Sequence, residues 1–120
     1  MVSEKVFLNW LITHLKQRLQ KEYSSVLVNY DGENQHDVEG YYPNLILSNY
    51  GMVVAVVNIL TEGTISASEA KTWKAMSTLG VKFILIVPHT SKKKVTELLW
   101  NEMIAQDVAV GTYELKINMP

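Results

Sequence analysis

The stretch VKFILIVP (81–88) limits the fold more than any other in this chain. It is apolar except for Lys82, and Pro88 ends it. A run this short and this apolar suits a central strand covered on both faces, in a sheet with helices on either side. Just before it, Ala70, Trp73, Met76 and Leu79 recur every three residues and predict a helix over 67–79. Ser66 with Glu69 reads as its capping box and Gly80 as its stop. Before that helix, 52–60 is another apolar strand. A strand–helix–strand unit over 52–88 calls for two parallel strands joined by a right-handed crossover.

The remaining segments extend this α/β unit. Residues 3–22 predict a helix, with Ser3 as cap and Glu4 in the first turn. Its apolar face carries Phe7, Leu8, Leu11, Ile12, Leu15 and Leu19. SSVLVNYD (24–31) reads as a strand, and 32–43, polar with two glycines and a final Pro43, as a loop. A strand at 44–49 joins the one at 52–60 through Asn49-Tyr50-Gly51. Residues 92–106 predict a helix with Val95, Leu98, Leu99 and Met103 inward. A last strand lies near 108–117, with Tyr113, Leu115 and Ile117 alternating against Glu114 and Lys116. The order is α-β-β-β-α-β-α-β: one α/β domain over 1–120 with a mixed sheet.

Composition narrows the chemistry. The 120 residues suffice for one core, and 48% apolar with 19% charged is globular composition. The chain has no cysteine, which excludes disulfide scaffolds, thiolate zinc sites and cysteine nucleophiles. The first residues lack an apolar signal core, and no apolar run is long enough for a membrane span. The expectation is a cytoplasmic protein with no membrane attachment. Net charge is −1, but residues 1–30 sum to +2, 31–70 to −6 and 71–120 to +3. A basic face is therefore compatible with an acidic total.

Two asparagines interrupt the apolar strands: Asn44, directly after Pro43, and Asn58. Alternation places Val54, Val56, Asn58 and Leu60 on one face. Hairpin pairing brings Asn44 and Asn58 together at one end of the sheet. PNLIL, VNILTEGTIS and EAKTWKAMSTLGVKFILIVP, from Pro43 to about Gln106, resemble the PD-(D/E)xK, or restriction-endonuclease-like, nuclease superfamily. There an acid follows a proline at a strand start. A second acid, then a lysine or acid two residues on, lie on the next strand. The resemblance implies a restriction-endonuclease-like mixed sheet and a Mg²⁺-dependent nuclease ancestry. By position, the family's acids and lysine fall on Asn44, Asn58 and Leu60. Two neutral amides and an alkyl chain supply no charge to hold a cation or activate water. The expectation is a degenerate active site, no cofactor, and a domain that acts by binding DNA, a protein partner or itself.

Two alternatives stand beside this reading. The first is an active Mg²⁺-dependent nuclease with relocated groups: Glu62, with Lys71 or Lys74 as the missing charge, and Glu4, Asp31, Asp37 or Glu39 as migrating acids. Glu62 lies ~13 Å from Asn58 along an extended strand, so it serves only if the chain bends at Thr61–Gly63. The second is an unrelated α/β protein-interaction module. An amide that only satisfies backbone groups is equally compatible with a vanished site. Lys92, Lys93 and Lys94 open a helix where the dipole disfavours cations, and are the candidate DNA contacts. His14, His36 and His89 match no metal-ligand spacing. Trp10, Trp73 and Trp100 sit on or beside apolar stripes, with Trp100 and the last strand as candidate homodimer contacts. No glycine-rich phosphate loop is present.

Overall fold

The computed structural model describes residues 4–114. Its elements in chain order are α1 (Glu4–Leu19), β1 (Ser25–Val28), β2 (Leu45–Asn49), β3 (Met52–Ile59), α2 (Ala67–Met76), β4 (Lys82–Pro88), α3 (Lys92–Asn101) and β5 (Val108–Tyr113). Short 3-10 turns precede α2 (Glu62–Thr64) and α3 (His89–Ser91). The predicted mixed α/β class is observed: three helices and one five-stranded mixed sheet, in the order β1-β2-β3-β4-β5. β1, β2 and β3 form an antiparallel meander, and β3, β4 and β5 are parallel. Ser3 as a helix cap, and Leu115, Lys116 and Ile117 in the last strand, lie outside the described residues.

Two cores flank the sheet. On one face, α1 packs Leu8, Leu11 and Ile12 against Val26, Leu45, Leu47, Val57 and Ile59. On the other, α2 and α3 pack Trp73, Met76, Val95 and Leu99 against Val56, Phe83, Leu85 and Val87. Strand alternation divides β3 as expected, with Val57 and Ile59 to the first core and Val56 and Leu60 to the second. Tyr50 and Gly51, both with positive φ, form the two-residue hairpin turn whose twist matches the flanking strands.

Three expectations need correction. β4 is not fully covered on both faces: Phe83, Leu85 and Val87 are buried, but Ile84 and Ile86 are only half-buried. The reason is placement, since α1 lies over the β1 and β3 side of its face. The third helix ends at Asn101 rather than 106. There Met103 takes a left-handed φ of 62°, its N–H bonds Trp100 O, and Ile104 N–H bonds Leu99 O. This is a Schellman stop, which turns Met103 outward to 86% exposure instead of inward. The capping box of α2 is half formed: Ser66 Oγ accepts from Glu69 N–H at 3.2 Å.

Candidate functional site

The antiparallel ladder between β2 and β3 runs from Asn49–Met52 to Leu45–Val57. One residue further the strands part, and side-chain amides replace main-chain ones. Asn44 N–H donates to Asn58 Oδ1 at 3.3 Å, and Ile59 N–H donates to Asn44 Oδ1 at 2.8 Å. Asn44 Nδ2 donates to Asn29 O at 3.2 Å, and Asn58 Nδ2 reaches Met76 Sδ of α2 at 3.4 Å. The expected approach of Asn44 and Asn58 is thus observed.

A third asparagine completes the network. Asn29, at the end of β1, is 1% exposed. Its Nδ2 donates to His36 O (2.7 Å) and Pro43 O (2.8 Å), and its Oδ1 accepts from Gln35 N–H (3.0 Å) and His36 N–H (2.8 Å). Asn29 therefore ties the middle of the 30–43 loop, at Gln35 and His36, to its far end at Pro43. Sequence reasoning passed over it, although its position was a signal. It ends β1, Asn44 precedes β2 and Asn58 nears the end of β3, so a meander must gather all three at one sheet end.

This arrangement does not fit a divalent cation. Each of the three amide oxygens already accepts a main-chain N–H, and each NH₂ group presents hydrogens that repel a cation. Leu60 is buried in the α2/α3 core, its N–H bonded to Ile86 O. Among the described residues, no three His, Asp or Glu side chains converge.

The chain does bend after β3, through the 3-10 turn that carries Glu62. Glu62 accepts from Thr90 Oγ1 at 3.1 Å and lines a 320 Å³ pocket with Glu4, Phe7, Thr61, Pro88 and Tyr113. That pocket belongs to the α1 side, whereas Asn58 faces α2. Glu4 packs over Gly63, where a Cβ would lie 3.1 Å from Glu4 Oε1. Tyr113 Oη donates to Leu60 O at 2.8 Å. Burial first, then the carboxylates of Glu62 and Glu4, push its phenol up to about 12.

The remaining predicted residues are dispersed. Lys71 is exposed and 3.6 Å from Glu102, the residue that follows α3, Lys74 is exposed, and Met76 rather than either lysine overlies Asn58. Asp31, Asp37 and Glu39 sit on the exposed side of the 30–43 loop. His14 stacks on Trp10 at 5.7 Å, while His36 serves Asn29 through its main chain. His89 is exposed where β4 ends. Trp73 is core at 1% exposure, but Trp10 and Trp100 are 53% and 64% exposed. Lys92, Lys93 and Lys94 are exposed in the first turn of α3. α3 starts at the sheet end where the asparagines meet, because Ile59 of β3 pairs with Ile86, two residues before Pro88. No family model, curated protein or solved structure matches this chain.

Proposed function

We propose that this chain is a restriction-endonuclease-like domain that has lost metal-dependent cleavage and acts by binding DNA. The amide network of Asn29, Asn44 and Asn58 carries the reading. It occupies the sheet end where the resemblance puts the nuclease carboxylates, and it spends each amide oxygen on the backbone. An antiparallel three-strand meander followed by parallel strands is compatible with that ancestry. Lys92, Lys93 and Lys94 at the same sheet end supply cations for DNA phosphates, within a chain whose acids concentrate between residues 31 and 70.

The test has two arms. Supercoiled and single-stranded DNA incubated with the protein and Mg²⁺ or Mn²⁺ should remain intact. A labelled duplex should bind with an affinity that falls as salt rises. Replacing all three lysines by alanine should reduce the log–log salt slope by about 3 if each meets a phosphate. A slope near zero in the unmodified protein would redirect the reading to a protein partner or self-association.

One observation favours a second reading, an active nuclease with relocated acids: Glu4 and Glu62 face one pocket. Metal-dependent cleavage that disappears in Glu62→Gln would establish it and overturn the first.

A further inference from the structure

Beside α1, where its cover of the sheet ends, lies a 430 Å³ groove between α1 and β5. Its size is that of a small-molecule site. Half-buried Ile86 forms the floor, bounded by Ile59 at the edge of the α1 core, and Gly111 keeps it open: a Cβ there would sit 2.8 Å from Ile86 Cδ1. One wall is an aromatic row on α1. Phe7 stacks on Trp10 with centroids 6.3 Å apart, and Trp10 on His14 at 5.7 Å, with planes within 18° and 14°. Phe7 also meets Tyr113 at 5.8 Å and closes one end. Trp10 remains 53% exposed along this wall.

Charge defines the ligand. Arg18, further along α1, lines the groove and has neither an ion pair nor a side-chain hydrogen bond among the described residues. The acidic residue on the rim, Glu114, has a partner of its own. From Phe7 to Arg18 the helix rises roughly 16 Å, which makes the groove elongated. We propose that it binds a medium-chain carboxylic acid. The alkyl chain lies on Ile86 and the aromatic row, and the carboxylate meets the Arg18 guanidinium. Arg18 is the fitting donor, since its planar fork matches a carboxylate. This site is independent of the asparagine network and of the DNA reading.

The experiment titrates the full chain with sodium hexanoate, octanoate and decanoate below micelle formation, following tryptophan fluorescence and calorimetry. Binding should saturate at one per chain, with affinity rising about fourfold per added methylene. Arg18→Met, a surface change that leaves the core intact, should weaken decanoate about fivefold and leave decanol unchanged. Gly111→Val should drive Ile86 into the groove and abolish binding. If that variant fails to fold, Trp10→Ala, which removes the wall, should weaken decanoate about tenfold. Absence of saturable binding overturns the proposal. So does decanol binding as tightly as decanoate, or decanoate affinity that Arg18→Met leaves unchanged.

Discussion

An asparagine side chain copies the peptide group, with one acceptor oxygen and one NH₂ donor, so it can continue a ladder that the backbone has left. Aspartate copies only the acceptor half. Asn29 is the most demanding case, because four main-chain groups depend on it inside a site 1% exposed. Asn29→Ala should lower unfolding free energy by about 3 kcal/mol in urea titrations, since it strands two N–H and two C=O groups. Asn44→Asp tests the network differently. Its first oxygen can still accept from Ile59 N–H, but the second replaces Nδ2 and faces Asn29 O, acceptor against acceptor. The protonated acid can donate there, so the folded-state pKa is raised above the unfolded value of about 3.9. The variant should lose roughly 2 kcal/mol at neutral pH and recover part of it as pH falls through that raised pKa. Denaturant midpoints between neutral and mildly acidic pH check the sign. Equal losses across that range would show that the second oxygen meets no acceptor.

Most element boundaries follow from local chemistry that the sequence displays. Gly51 takes positive φ where the hairpin turn needs it, Ser66 caps α2, and the three-residue steps of Ala70, Trp73 and Met76 mark the face that is buried, although α2 ends at Met76 and turns over 77–79, rather than helix, lead to Gly80. The end of α3 was not readable, because WNEMIAQD contains neither glycine nor proline to announce it. Burial of Ile104 at 4% stops that helix, and Met103 accepts the left-handed conformation that results. Met103 is 86% exposed, so its side chain contributes little packing. Met103→Gly should therefore stabilise the protein by about 0.5–1 kcal/mol through relief of backbone strain, less the entropy glycine adds to the unfolded chain. Thermal melting reads this as a rise of a few degrees. An unchanged or lower melting temperature would mean that Met103 packs against something. The half-covered β4 was equally hidden: its sequence reads as buried on both faces, and only the position of α1 over β1 and β3 decides otherwise.

At the scale of the whole molecule, strands β3 and β5 are not neighbours, yet Tyr113 Oη reaches across the end of β4 to Leu60 O at 2.8 Å. That bond closes the sheet end where the groove beside α1 and the pocket of Glu4 and Glu62 adjoin. Alternation placed Tyr113 on a strand face, but its partner, 53 residues away, depends on strand order and lay beyond sequence reasoning. The bond requires the neutral phenol, which burial and the two carboxylates protect by raising its pKa from 10.0 to about 12. A raised folded-state pKa means that the protonated form is the one folding prefers. Its stabilisation is fully present below pH 10 and is lost as pH rises toward 12. Tyr113→Phe removes the bond and the titration together. It should cost about 1 kcal/mol at neutral pH, and the gap between variant and parent should close over the alkaline window. The difference between their stability–pH curves isolates this residue from every other group that titrates there. A gap that stays constant up to pH 12 would mean that the phenolate is as well accommodated as the phenol, and that the two carboxylates lie too far away to govern it.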